Sequence, residues 1–135
     1  MYERLLEIAK ALPKDKAMRC KHVSFLVHKG KVVSIGQNQH KTHPIHLRNR
    51  KKNQNGIDFS ENKPHCSEWS CIRQFCRMTD IPVQKCVLVN VRIDANGAIK
   101  NAKPCASCQQ LIDAITPRKV FYTTDDGVFD LLKIR

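Results

Sequence analysis

The sequence lacks any run of about 18 apolar residues, so no segment of it reads as a membrane-spanning helix. It also lacks an apolar signal core. Met1-Tyr2-Glu3-Arg4 leads into an amphipathic stretch, which predicts no secretory address and a cytoplasmic location. Acid is scarce, with 12 Asp+Glu against 24 Lys+Arg and a formal net charge of +12. Aromatics are only 6% of the 135 residues, few for stacking against nucleic-acid bases. No internal repeat, low-complexity tract or second domain is visible, and the length fits one domain over residues 1–135. The 7 cysteines are odd in number and scattered, a poor disulfide framework, so reduced thiols serving metal or catalysis are expected.

Apolar residues make up 41%, enough for one packed core, and 27% charged residues with a spread of aromatics argue against a disordered tail. The basic excess is concentrated in residues 1–60. It is densest from Lys41 to Lys52 (Lys41, Arg48, Arg50, Lys51, Lys52), a stretch without acid and interleaved with His40, His43 and His46. A field of this sign attracts phosphates, free or polymeric, and a solvated surface that keeps a small protein soluble reads equally well.

Leu5, Leu6, Ile8, Ala9 and Leu12 recur at helical spacing and Pro13 closes the pattern, which predicts a short amphipathic first helix. His22–Val27 reads as a strand, Lys29-Gly30-Lys31 as a turn and Val32–Gly36 as the returning strand of a hairpin. Residues 37–64 are polar, basic and aperiodic, a loop whose length in so small a domain points to function or mobility. Cys66–Met78 is expected to be helical, with Trp69, Ile72, Phe75 and Cys76 on one face. A buried strand over Lys85–Ile93, a turn at Asp94-Ala95-Asn96-Gly97, a helix over Cys105–Ile115 and a strand over Lys119–Thr123 follow. Asp125-Asp126-Gly127 is a hairpin signal ahead of Val128, Phe129, Leu131, Leu132 and Ile134. Such alternation predicts the α/β class with a mixed sheet.

Two short stretches carry chemistry. In Pro104-Cys105-Ala106-Ser107-Cys108 the thiols stand at i and i+3 of a helix start and project from one face, with Pro104 suited to opening the helix. The positive end of the helix dipole favours the thiolate, the form that binds metal. A lone C-x-x-C fits a zinc knuckle, a redox pair or coincidence. A structural zinc wants four protein ligands, and the sequence has no second C-x-x-C. Cys71 and Cys76 are too far apart for that pattern, and with Cys20 and Cys86 they read as small buried residues or inert thiols. In Cys66-Ser67-Glu68, Cys66 likewise begins a helix. Three thiolates with an open fourth position describe a catalytic zinc, and Glu68 stands where a general acid/base handles the protons of a water.

A Cys ligand, a Glu two residues on and a later Pro-Cys-x-x-Cys resemble the zinc-dependent cytidine deaminase superfamily. Cys108-Gln109-Gln110-Leu111 is similar to the Cys-Arg-Gln run of its small tetrameric members, and the order of elements follows that fold. The resemblance covers most of the chain in topology and far fewer residues in identity. It implies a three-layer fold with a central mixed five-stranded sheet flanked by helices. The Thr123–Gly127 hairpin makes the last two strands antiparallel, as in the free-nucleoside branch, whereas polynucleotide-editing members more often place a helix between them. It further implies Zn2+ on Cys66, Cys105 and Cys108, Glu68 as the catalytic acid/base, and assembly of several copies into a homo-oligomer.

The chain also departs from that pattern. Asn38-Gln39-His40 stands where free-cytidine enzymes carry an Asn-x-Glu that grips the ribose. Asn38 stays the candidate for the sugar, while His40 with Lys41 tolerates a phosphate far better than Glu. Gly36-Gln37-Asn38 resembles the Gly-x-Asn of deoxycytidylate deaminases, and Lys41-Thr42-His43-Pro44 resembles their phage-type relatives, whose first ligand is usually His. Were the chain phage-encoded, its location would be the host cytoplasm. His65 precedes Cys66, but as a ligand it would shift Glu68 off the family spacing, so Cys66 is preferred and His65 is left as a substrate-contact candidate. Groups at Ser67 and Pro104 are implied to hold the base edge, with Arg73 or Gln110 offsetting the thiolate charge. His40, His43 and His46 stand three apart in a loop without a carboxylate, so they read as surface or phosphate-facing histidines rather than a second metal site, and Trp69 reads as core or subunit packing ahead of base stacking.

The expected function is hydrolytic deamination of a cytosine moiety to uracil with release of ammonia. A free (deoxy)cytidine nucleoside or nucleotide is favoured by the compact length and the C-terminal hairpin. Cytosine within single-stranded DNA or RNA, held through residues 41–52, is favoured by the charge. An adenosine or transfer-RNA deaminase stands third, since the motif does not fix the ring, alongside a non-catalytic zinc module that binds nucleic acid. Glu68 speaks against the last, because a structural site has no use for a carboxylate beside the metal.

Overall fold

A computed structural model describes residues 2–13, 20–38 and 66–134. Helix α1 (Tyr2–Ala11) presents Leu5 and Ala9, one turn apart, to the core. Its C-terminal carbonyls are met by a lysine from outside the helix: Lys21 Nζ donates to the carbonyls of Lys10, at 3.0 Å, and Leu12. A cation at that end also complements the helix dipole.

Strands β1 (Lys21–His28) and β2 (Lys31–Gln37) form the expected hairpin. Its turn residues Lys29 and Gly30 have φ of 51° and 77°, the left-handed pair of a type I′ turn whose twist suits a tight hairpin. The register slips between Leu26 and Val27, so Val33 is an extra residue on β2. Helix α2 (Ser67–Met78) follows, then a 3-10 turn (Val83–Lys85) and strand β3 (Val87–Ile93). The strand expected from Lys85 therefore begins two residues later, because the backbone N–H groups of Lys85 and Cys86 close the turn back onto Pro82 and Val83.

Strand β4 (Ile99–Lys100) was not foreseen in the sequence. The Asp94–Gly97 turn brings it back onto Arg92 and Ile93, and Asp94 Oδ1 accepts from the N–H groups of Asn96 and Ala98, each at 2.9 Å. Helix α3 (Ala106–Ile115) then crosses over to strand β5 (Lys119–Thr123), which pairs parallel to β3, and strand β6 (Phe129–Leu131) returns antiparallel to β5. The sheet is mixed and six-stranded, in the order β2-β1-β3-β5-β6 with β4 on β3, one short strand more than the five expected. Apolar residues around Leu132 and Ile134 continue past β6 without extending it.

Alternation along the inner strands sorts two cores. Val23, Phe25, Val27, Val89, Val91 and Ile93 pack with Leu5 and Ala9 of α1. Leu26, Leu88 and Val120 face the other way, against Cys71, Ile72 and Phe75 of α2 and Leu111, Ile112 and Ile115 of α3. The result is a helix–sheet–helices sandwich, the α/β layering that the element order implied. No helix among the described residues is long and apolar enough to cross a membrane.

Candidate active site

Ser24 and Asn90 are register partners on β1 and β3, and both point toward α2 rather than α1. Ser24 also pairs with Gly36 on β2, and at Gly36 the helix comes down onto the sheet. A Cβ there would collide with Cys71 N and the Ser67 carbonyl and lie 2.7 Å from Cys71 Cα, so only glycine fits. Alongside, Ser34 Oγ donates to the Cys71 carbonyl at 2.7 Å and Cys71 Sγ donates back to the Ser34 carbonyl at 3.5 Å. These contacts fix the first two turns of α2 on β2, and with them the placement of Cys66, Ser67 and Glu68.

Cys66 and Cys105 are the N-cap residues of α2 and α3, in extended conformation, and neither side chain makes a cap hydrogen bond. Thiols are poor substitutes for the Ser, Thr, Asp or Asn that helices prefer there, so both helices start without that stabilisation, which is about 1 kcal/mol each. Their sulfurs turn toward a common point instead. The Sγ atoms of Cys66, Cys105 and Cys108 all lie within 4.8 Å of one another, and no fourth ligand joins them among the described residues. Sulfurs bound at about 2.3 Å around a tetrahedral zinc stand about 3.8 Å apart, so the triad fits Zn2+ with one position left for water or substrate.

The three thiols already interact without metal. A hydrogen bond with Cys108 lowers the Cys66 thiol to about 7, against the opposing effects of burial and Glu68. The same pairing, together with burial, pushes Cys108 up. The bystanders behave differently: burial raises Cys71 to about 12 and Cys86 to about 11, leaving both as inert thiols. Cys105 is exposed, Cys66 half-buried and Cys108 buried, so the cluster opens to solvent on the Cys105 side.

Glu68, only 6% exposed, sits in the first turn of α2. Its Oε1 accepts from Ser67 Oγ at 2.9 Å. Ser67 Oγ lies 2.8 Å from Ser24 Oγ, which lies 2.7 Å from Asn90 Oδ1. The Ser67 hydroxyl thus faces into the protein, toward Ser24 and Glu68. Pro104 is half-buried, directly before the Cys105 cap.

Asn38 is buried at the end of β2, where its side chain ties down the start of β1. Its Oδ1 accepts from His22 N at 2.9 Å and its Nδ2 donates to the Cys20 carbonyl at 3.1 Å. His40, Lys41 and His65, and with them the basic stretch 41–52, lie outside the described residues. Gln110 is exposed, and Arg73 stands two turns along α2 from Cys66, about 10 Å down the helix axis. Trp69 is half-buried and packs with Cys76 against the α2–α3 core, as expected for a packing residue.

Ser24, Ser34 and Asn90 were missed in the sequence. Their signal was a polar residue inside an otherwise apolar strand: Ser24 within Val23–Val27, and Asn90 within Val87–Val91.

A sheet sandwiched by helices, with three thiols gathered at two helix N-termini beside a buried glutamate, is the architecture of a metal-binding hydrolytic deaminase. Residues 1–124 match the family model of the cytidine and deoxycytidylate deaminase zinc-binding region, and the chain belongs to that family. No curated protein matches the chain. Zn2+ is accordingly the metal for which the three-cysteine cluster is suited.

Proposed function

We propose that this protein hydrolyses the exocyclic amine of cytosine in a free (deoxy)cytidine nucleotide, giving the uracil nucleotide and ammonia. The observation that carries the reading is the buried carboxylate of Glu68 two residues beyond Cys66, at the helix start that brings this thiol to the metal cluster. Cys66, Cys105 and Cys108 would hold Zn2+, which when bound acidifies a water toward neutral pH. Glu68 is the acid/base: it carries one proton of the attacking water to N3 as the oxygen adds to C4, and the remaining hydroxyl proton to the amine as the C4–N bond breaks and ammonia leaves. The first turns of α2 and α3, near Ser67 and Pro104, offer backbone groups for the base edge. Asn38 Nδ2 keeps one proton beyond its bond to Cys20, enough for a sugar oxygen. His40, Lys41 and His65 are the candidates for the phosphate end, which suits a deoxycytidylate-type enzyme related to the phage group.

The short β5–β6 hairpin supports a free substrate over a polynucleotide. Single-stranded DNA or RNA remains the second reading, on the net charge of +12 and the stretch 41–52.

The test is to offer the zinc-loaded protein cytidine, deoxycytidine, their monophosphates and a cytosine-bearing oligonucleotide, and to measure uracil formation and ammonia release. Turnover of the monophosphates with Glu68→Gln inactive but zinc-replete is the expected result. Turnover of the oligonucleotide alone selects the second reading, and no turnover of any substrate overturns the enzyme.

A further inference from the structure

We infer that Ser24 and Asn90 are positioning residues for Glu68, acting through Ser67 as a buried hydrogen-bonded chain that reaches the carboxylate from the sheet. The inference rests on Glu68 being the acid/base proposed above. The chain runs Asn90–Ser24–Ser67–Glu68 with heavy-atom separations of 2.7, 2.8 and 2.9 Å. Ser24, Ser67 and Asn90 are at most 2% exposed, so water does not compete for these bonds.

Counting protons gives the chain a direction. A serine hydroxyl has one proton to donate and lone pairs to accept. Ser67 gives its proton to the carboxylate, so it can only accept from Ser24. Ser24 then has nothing left to donate and must accept from Asn90. The Asn90 atom facing Ser24 is therefore its amide nitrogen, although in the structure Oδ1 occupies that place and Nδ2 is buried without a partner. Turning the amide end for end, which leaves its shape unchanged, gives Ser24 its donor and one of the two stranded N–H protons its acceptor. It puts the carbonyl oxygen, the less costly group to orphan, in the unpartnered place and leaves one amide proton rather than two without a partner.

Every donor in the chain then points toward Glu68. The base is fixed by two strands of the sheet as well as by its own helix, and freedom in its side-chain torsions is removed before substrate arrives. Such pre-orientation lowers the barrier to reaction with little effect on substrate binding. The polar pair is otherwise a poor use of two buried strand positions, since apolar residues there would stabilise the fold at least as well.

The experiment compares Ser24→Ala, Ser24→Thr and Asn90→Leu with the parent, all zinc-loaded, for kcat, KM, zinc content and high-resolution crystal structure. In Ser24→Ala, kcat is expected to fall between about tenfold and hundredfold, with KM within about twofold and zinc unchanged. Ser24→Thr, which keeps the hydroxyl, restores most of the loss. Glu68 should occupy one rotamer in the parent and several in Ser24→Ala. Parent-like kcat in Ser24→Ala, or Glu68 unmoved in its crystal structure, overturns the inference. If the parent deaminates nothing, the crystallographic comparison decides alone: a Glu68 that disperses in Ser24→Ala keeps the positioning chain while the deaminase reading falls. Asn90→Leu covers a Ser24 variant that fails to fold, with the same readouts.

Discussion

The α-carbon of Gly36 faces the backbone of Cys71 so closely that a methyl group there would stand 2.7 Å from Cys71 Cα. The obstacle is helix backbone, which cannot rotate away as a side chain can. Gly36→Ala must lift the start of α2 from β2, breaking the paired Ser34–Cys71 bonds and moving Cys66 and Glu68 together. Overpacking of this kind costs about 1–3 kcal/mol. Chemical denaturation should show that loss, and the zinc bound per chain should fall with it. A Gly36→Ala protein with full zinc and parent stability would refute the close approach.

Cysteine chemistry sets two groups apart among the seven described thiols. Cys66, Cys105 and Cys108 gather within ligand range, whereas burial holds Cys71 near 12 and Cys86 near 11. Substituting any one of the three by Ala should abolish stoichiometric zinc binding, while Cys71→Ala should keep it at a stability cost of about 1 kcal/mol for the lost contacts. Removing zinc with a chelator should open Cys105 first to alkylation, because it is the exposed member of the triad. Mass mapping of the modified peptides checks the order. Labelling of Cys71 or Cys86 in the folded protein would contradict it.

The residues of the metal cluster were legible in the sequence because their signal is local. A cysteine with a glutamate two residues on, and a proline followed by two cysteines one helical turn apart, need only a helix start to become a cluster. The supports of that cluster were not legible. Ser24, Gly36 and Asn90 meet because three strands take one particular register, and register is fixed by the whole sheet rather than by spacing within one strand. Asn38 has a structural duty that its position in the sequence does not announce: the fold ties its amide to the backbone of Cys20 and His22. Strand β4 was hidden because two residues carry no periodicity.

Lys21 links stability to pH in an uncommon direction. It is buried, and burial pushes its ammonium below the ordinary lysine range of about 10.5 while it caps α1. Between its folded-state value and that of the unfolded chain, the unfolded state binds more protons, so stability rises with pH across that window. Lys21→Met should lose the cap, about 1 kcal/mol near neutrality, and should also lose this rise. Denaturation midpoints of parent and variant from neutral to alkaline pH test it. Parallel profiles at all pH values would show that Lys21 feels no cost of burial.

Asn38 ties the ends of β1 and β2 together and is also the proposed sugar contact, and the two roles can be separated. Asn38→Ala strands the His22 N–H and the Cys20 carbonyl, each at about 1 kcal/mol or more, and should lower stability measurably. Asn38→Asp keeps an acceptor for His22 but turns a buried carboxylate oxygen onto the Cys20 carbonyl, so it should lower stability as well. If the remaining Nδ2 proton also holds the sugar, both variants should raise KM for deoxycytidine monophosphate by about tenfold, the worth of one hydrogen bond in a desolvated site. Free cytosine, which has no sugar to lose, should then be turned over by Asn38→Asp as by the parent. Equal losses on cytosine and on the nucleotide would confine Asn38 to holding β1 in place and transfer sugar recognition to another residue.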